Sequence, residues 1–182
     1  MTEQALATDE SMVDAQSGDI EELDREVEKY LTFRVEDNIF GTEVYRIHEI
    51  IEYCQITYIP ITHQNVRGVI NLRGNVVPVI DMAVRLGKDR SEVSKRTCII
   101  IVGIEYDGEE IELGFVVDEI NEVQDVFTDC ILPAPSFGAE IKPEFIKGML
   151  KKEERFIVLL QLEEVLSVRE LSELVALESE RS

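Results

Sequence analysis

Few residues in this chain are suited to chemistry by type and spacing. The 182 residues include two histidines, His48 and His63, and three cysteines, Cys54, Cys98 and Cys130. His48-Glu-Ile-Ile-Glu52 comes near the H-E-x-x-H pattern, which lays two imidazoles on one helix face to bind zinc. Glu52 stands where the second imidazole must be, so the zinc face is missing and His48 reads as an exposed side chain. A catalytic triad would have to use His48 or His63, and no serine or cysteine stands in a recognisable nucleophile context. The chain has no phosphate-cradling G-x-x-x-x-G-K-[ST], no G-x-G-x-x-G fingerprint and no G-x-S-x-G elbow. The odd cysteine count, the wide spacings and the lack of C-x-x-C argue against a disulfide framework. Asp81 ends an apolar run and precedes Met82 to Leu86. Its carboxylate is placed to cap the free amides of a short helix, a reading preferred to a catalytic one. The other carboxylates lie beside turns or alternate along strands, which makes a solvated face. No metal, cofactor or catalytic residue is assigned. Weight shifts to a binding module, which works through exposed apolar side chains and a few charged ones.

Charge narrows the partners. There are 38 acidic and 18 basic residues, for a net charge of −20. An acidic surface repels phosphate backbones and anionic membranes, so direct nucleic-acid binding is not expected. The excess is concentrated at the ends, with ten acids and one base in residues 1–28 and six acids and two bases in residues 163–182. Residues 1–28 read as an acidic extension: Met1 to Gly18 is polar, aperiodic and expected to be disordered, and Ile20, Leu23 and Val27 could stripe a short helix. Met1 to Gly18 has no apolar h-region and no Lys or Arg, and no run reaches membrane-spanning length, so neither a signal peptide nor direct membrane insertion is expected. The four methionines are scattered and read as core filler.

The elements that must position any surface are mostly strands. Leu31, Phe33 and Val35 alternate with Thr32 and Arg34, and Ile39 to Tyr45 reads as the returning strand after Glu36-Asp37-Asn38. Arg46 to Ile51 reads as a helical turn, Gln55 to Ile59 as extended chain ending at Pro60, and His63 to Arg67 as another turn. Two apolar runs flank Gly74-Asn75, a hairpin signal. Pro78 lacks an amide donor, which calls for an edge strand or a bulge. A short helix, Met82 to Leu86, stops at Gly87, and Lys88 to Lys95 is a charged linker. Further strands are expected at Thr97–Tyr106, Glu110–Val117, Glu122–Phe127 and Phe156–Leu160, with a turn at Asp107-Gly108 and a loop at Pro133–Gly138. Ser167-Val-Arg-Glu170 is a capping box opening a helix that carries Leu171, Leu174 and Val175 on one side.

The chain also echoes itself. Gly41-x-x-Val44-x-x-Ile47-x-Glu49-Ile50 recurs, at one fixed offset, as Gly114-x-x-Val117-x-x-Ile120-x-Glu122-Val123. Gly68, Val76-Val77, Val79-Ile80, Met82 and Leu86 recur, at a second and slightly longer offset, as Gly148, Phe156-Ile157, Leu159-Leu160, Leu162 and Leu166. Two matched blocks in the same order point to two similar all-β halves, each a small barrel or sandwich of about five strands.

The stretch Gly68-Val-Ile-Asn-Leu-Arg-Gly-Asn-Val-Val-Pro-Val-Ile-Asp81 resembles the signature of the CheW family, the coupling proteins of bacterial chemotaxis. Supporting pieces follow the same order: Phe40–Ile50, Gly114–Asp118, Ile131–Gly138 and Phe145–Gly148. The likeness covers about residues 28–168. It implies a fold of two intertwined, SH3-like, five-stranded β-barrel subdomains in pseudo-repeat over residues 29–168, with short helices, followed by a C-terminal helix and tail at 169–182. It implies a non-enzymatic adaptor in the cytoplasm, joining the CheA histidine kinase to the cytoplasmic tips of methyl-accepting chemoreceptors and associated with receptor arrays through those partners. The chain would be a monomer alone and form rings with the kinase. Receptor-contact positions of the family fall on Ile47, Glu49, Ile50 and Arg73, with Val123 as the second-barrel echo of Ile50. An ion pair between Glu49 and Arg73 is anticipated, although Arg73 could merely flank a turn. Kinase-contact positions fall on Ile56 and Gly68, and Gly68 could also serve a turn that needs positive φ. Met82-Ala-Val-Arg85 departs from the family's commoner Leu-Arg-x-Arg run, and the acidic extension is longer than many members carry. A coupling protein of a pilus-motility or other chemosensory system fits the same residues. A different class, a small β-barrel hydrolase, would have to build its site from His48, His63 or carboxylates.

Overall fold

The computed structural model describes residues 25–60, 64–134 and 141–181. Ten strands run in chain order: β1 (Val27–Val35), β2 (Asn38–Glu43), β3 (Ile47–Glu52), β4 (Val66–Leu72), β5 (Asn75–Asp81), β6 (Cys98–Tyr106), β7 (Glu109–Val117), β8 (Glu119–Phe127), β9 (Ile146–Lys152) and β10 (Arg155–Leu160). Three α-helices, α1 (Met82–Arg85), α2 (Leu162–Val165) and α3 (Val168–Arg181), and 3-10 turns at Val44–Arg46, Thr128–Cys130 and Pro143–Phe145 complete the described elements.

The strands form two five-stranded sheets. The first has the order β3-β6-β7-β5-β4 and the second β8-β1-β2-β10-β9. Placed on the echo, the two orders are one: β3 corresponds to β8, β6 to β1, β7 to β2, β5 to β10 and β4 to β9. The parallel ladders show it residue by residue. Val79 pairs with Gly114 in the first sheet, and their echo partners, Leu159 and Gly41, pair with each other in the second. Each sheet therefore draws two strands from one half of the chain and three from the other, and the halves are interlocked. The helices obey the same relation, Leu162 opening α2 as its echo partner Met82 opens α1.

Burial explains the strand patterns. β6 is apolar without a break from Ile99 to Val102 because both its faces are covered. Ile99 and Ile101 join Ile70, Val77, Val79 and Val116 in a core belonging to the first sheet, while Ile100, Val102 and Ile104 face a larger core shared with Leu31, Phe33, Phe40, Leu160 and Leu171. The second sheet keeps a smaller core of Tyr30, Val126, Ile157 and Leu159. At roughly 1.5–3 kcal/mol for each fully buried large side chain, the shared core is the main cohesive term. α3 docks into it through Leu171 and Leu174, and its start is fixed by the anticipated capping box: Ser167 Oγ accepts from the Glu170 amide at 3.2 Å, and the Glu170 carboxylate accepts from the Ser167 amide at 2.7 Å.

Several local expectations are corrected. Val27 begins β1 rather than a helix, while Ile20 and Leu23 lie outside the described residues. Arg46–Ile51 is not a helical turn: β2 ends at Glu43, a 3-10 turn covers Val44–Arg46, and Ile47 onward is strand. The i, i+3, i+4 spacing of Ile47, Ile50 and Ile51 imitates a helix because a bulge lies between them. Ile47 pairs with Val102 and Glu49 with Ile101, so His48 is an extra residue in the ladder. The hairpin turn is Arg73-Gly74, one residue earlier than Gly74-Asn75, with φ of 53° and 86° as a type I′ turn requires. Pro78 is on neither an edge nor a bulge. β5 lies between β7 and β4, but its parallel ladder to β7 begins only at Val79, and the bulge in the β4–β5 pair falls on β4 at Arg67. Of the expected His63–Arg67 turn, His63 lies outside the described residues, Gln64 and Asn65 turn, and Val66 already opens β4. Most of the Pro133–Gly138 loop also lies outside them. Asp81 caps α1, its carboxylate accepting from the amides of Ala83 and Val84. Cys54, Cys98 and Cys130 are free thiols.

Candidate functional site

β3 and β4 are the two ends of the first sheet, and the sheet curls until side chains from both ends meet. Arg73 Nη2, on the β4–β5 turn, donates to Glu49 Oε2 of β3 at 2.8 Å. The Arg73 side chain is 78% exposed and that of Glu49 only 25%. The turn is pinned from within, Asn71 Oδ1 accepting from the Gly74 amide at 2.9 Å. Beside this pair Ile50 is 42% exposed, although its neighbours Ile47 and Ile51 pack inward. Ile47 faces the shared core and Ile51 the first sheet's own core, and the bulge at His48 makes that change of face within one short strand. The result is a solvent-facing guanidinium, its carboxylate partner and an apolar side chain on one rim. Such an exposed ion pair contributes under ~1 kcal/mol to stability.

Val123 stands alone on β8, 55% exposed, at the position equivalent to Ile50 in the second sheet. Its neighbour Glu122 pairs with Lys152 of β9, again joining the two ends of a sheet. A cleft beside them is lined by Thr32, Asn121, Glu122, Lys152 and Phe156.

Ile56 and Gly68 touch. Thr57 exchanges two 2.9 Å backbone hydrogen bonds with Val69, covering the outer edge of β4. Gly68 has φ +148° and is buried under this segment. A Cβ there would lie 2.8 Å from the Thr57 carbonyl carbon and 2.9 Å from Ile56 Cγ2, with the carbonyl oxygen closer still. Gly68 therefore presents no surface of its own; it lets the Ile56–Thr57 segment lie flat on the sheet, and Ile56 is half-buried in that sheet's core.

Three polar clusters were not read from the sequence. Arg67, the bulge residue of β4, is buried with Asp81: Nε to Oδ2 is 2.8 Å, and the guanidinium also donates to the Tyr53 hydroxyl at 3.0 Å and the Ser91 carbonyl at 2.5 Å. Arg85 donates to the Val165 carbonyl, pairs with Glu170 at 3.0 Å and lies over Phe145, tying α1 to the C-terminal helices. Lys147, the echo partner of Arg67, is the bulge residue of β9 and pairs with Glu28 at 2.8 Å and with Glu43. Tyr30 Oη donates to Glu28 at 2.5 Å. The bond from Lys147, then that from Tyr30, hold the Glu28 carboxyl below its ordinary range. The Lys147 ammonium is pulled down by burial, but its bonds to Glu28 and Glu43 outweigh this and raise it. The available signal was a lone base inside an apolar block, Val66-Arg-Gly-Val and Ile146-Lys-Gly-Met.

Among the described residues no group of histidine, cysteine or carboxylate side chains is arranged to hold a metal ion. No described helix is long and apolar enough to cross a membrane.

Comparison with known proteins agrees over most of the chain. A family model for the CheW-like domain matches residues 29–170. "Chemotaxis protein CheW" of Klebsiella aerogenes is 30% identical over 145 residues, covering 80% of this chain and 85% of that one. The protein of the same name from Bacillus subtilis strain 168 is 32% identical over 139 residues, covering 76% and 86%. The crystal structure of the scaffolding protein TtCheW from Thermoanaerobacter tengcongensis is similar with a TM-score of 0.70 and 31% identity, over 80% of this chain and 97% of that one.

Proposed function

From the premise that the chain belongs to the CheW-like family, matched across residues 29–170, we propose that it is a non-catalytic coupling protein of chemotaxis. It joins a CheA-type histidine kinase to the cytoplasmic tips of chemoreceptors, and it reaches the membrane through those partners. The observation that carries the receptor contact is the Arg73–Glu49 pair beside exposed Ile50 on the rim of the first sheet. A guanidinium held by one carboxylate keeps free donors for a second acceptor, and the adjoining Ile50 supplies apolar area. An amphipathic helix with a carboxylate or amide beside its apolar stripe fits that surface. Val123 is the second-sheet position toward the same partner. Kinase contact is assigned to the segment at Ile56, with Gly68 acting beneath it: the glycine sets the height at which the segment lies.

The test is reconstitution. Receptor-tip fragments on vesicles, the kinase and this chain are mixed, and kinase autophosphorylation and co-sedimentation are measured. Chain-dependent activation that disappears with a folded Arg73→Glu variant supports the reading. Activation unchanged by Arg73→Glu removes the receptor contact from this rim, and failure to engage any kinase–receptor pair removes the coupling function.

A further inference from the structure

Two of the four sheet bulges among the described residues lie on strands that carry receptor-contact candidates, and they differ in chemistry. In the first sheet the extra residue is His48, and in the second it is Asn121, its echo partner. The His48 ring spans the bare backbone of Gly103 on β6, where a Cβ would lie 2.6 Å from Nε2. It reaches two carboxylates of β7: Nε2 lies 2.7 Å from Glu110 Oε1 and Nδ1 2.9 Å from Glu112 Oε1. A neutral imidazole has one N–H and one lone pair, so against two ionised carboxylates it makes one hydrogen bond and one repulsive contact. Only the imidazolium donates to both. The second sheet has no counterpart, because Ile39 occupies the place of Glu112 and Asn121 does not titrate in this range.

We propose that His48 is a positioning residue whose proton holds the β3 bulge, and with it Glu49 and Ile50, in the arrangement that meets the receptor. This rests on the receptor reading above and adds a dependence on pH to it. Other charged groups bear on the ring. From β6, exposed Glu105 sits opposite Glu110 in the ladder and adds negative charge; on β3 itself Glu49 is taken up by Arg73, and Arg46 in the preceding turn by Glu163. All the carboxylates near the ring favour the charged form. The bond to Glu112 and the charges of Glu110 and Glu112 raise the imidazole above its ordinary value, against a lowering by burial. A raised folded value means that the contribution is fully present below the unfolded value, about 6.5, and is lost as pH rises through the folded one.

The experiment uses the full chain and three readouts between pH 6 and 8.5: the His48 ring titration by NMR, protection factors of the β3 amides, and binding of a receptor-tip fragment. The expected result is that β3 protection and tip affinity fall together as His48 loses its proton, each by about two- to fivefold, the range of an exposed ion pair. His48→Asn, which installs the residue of the second sheet, flattens both profiles. Glu110→Gln with Glu112→Gln moves the His48 titration down toward its free value. A His48→Asn variant that keeps the wild-type pH profile overturns the proposal. So does a His48 that titrates without any change in β3 protection. If the tip binds at no pH while β3 protection still follows His48, the receptor reading fails and the proton-held bulge stands.

Discussion

The two sheets have one topology and two ways of placing a base at the same bulge. In the first sheet Arg67 is buried and its planar fork is divided among a carboxylate, a hydroxyl and a carbonyl. In the second sheet Lys147 is half-buried and sits between two carboxylates beside the Tyr30 ring. Asp81, which accepts from Arg67, also caps α1, whereas the equivalent position at the start of α2 is Gln161, which makes no side-chain cap. The first sheet is thus tied to its helix by a buried, multiply bonded network, whereas the base of the second sheet joins β9 to β1 and β2 and reaches no helix. Repeated topology does not require repeated chemistry. The sheet proposed to carry both the rim pair and the kinase segment is the more rigidly braced of the two.

The largest test of that contrast is removal of the two bases. Arg67→Ala leaves the Asp81 carboxylate buried without its partner and is expected to destabilise by about 3–5 kcal/mol, whereas Lys147→Ala costs about 1–2 kcal/mol. Urea unfolding measures both, and equal costs would erase the distinction. The paired glycines come next. Gly68→Ala meets backbone at a positive φ and is expected to cost about 2–4 kcal/mol, against about 1–2 kcal/mol for Gly148→Ala. Gly148 would crowd the Ile131 side chain and the Leu132 carbonyl, but without a left-handed φ. A Gly148 variant that proves the worse of the two would shift the strain to the second sheet.

Acid gives a third test. The depressed Glu28 carboxyl contributes stability that is present above its unfolded value, about 4.3, and is lost as pH falls through the lower folded one. Lys147→Met should therefore flatten the fall in unfolding free energy below about pH 5. An unchanged slope would assign that fall to other carboxylates. The smallest effect on stability is expected at the rim pairs. Arg73→Glu and Lys152→Glu should each change stability by less than ~1 kcal/mol, and only the first should abolish coupling. Loss of coupling in both would give the Glu122–Lys152 pair a direct part in the contact beside Val123.

Much of this was legible from residues alone. The hairpins, the helix at Met82 and the capping box carry local turn and cap chemistry, which reads directly from short stretches. The echo read residue equivalence correctly, down to the glycines at 41 and 114. The Glu49–Arg73 contact followed from the family resemblance rather than from spacing. What escaped depends on partners distant in sequence. β3 looked helical because a bulge shifts Ile47 to a different core from Ile51, and nothing within the segment reveals the ladder that creates the bulge. Arg67 reads as the end of a turn because its acceptors, Tyr53, Asp81 and Ser91, are 14, 14 and 24 residues away. Pro78 looked like an edge marker because sequence does not say where a parallel ladder begins.

The interlocked strand order also sets a schedule for synthesis. Every strand of the first sheet lies between Ile47 and Val117, so that sheet can assemble as soon as β7 emerges. The second sheet is split around it: β1 and β2 are made first, and β8 to β10 last. At ~5–20 residues per second, the stretch from the end of β2 at Glu43 to the end of β8 at Phe127 leaves the β1–β2 hairpin unpaired on both sides for about 4–17 seconds. During that interval Tyr30, Leu31, Phe33 and Phe40 lack their final cover, and both hairpin edges are open to strands of other chains. β8 then covers the β1 edge, and the β2 edge stays open until β10 arrives, so a chain truncated before β10 keeps a finished first sheet and an open second one.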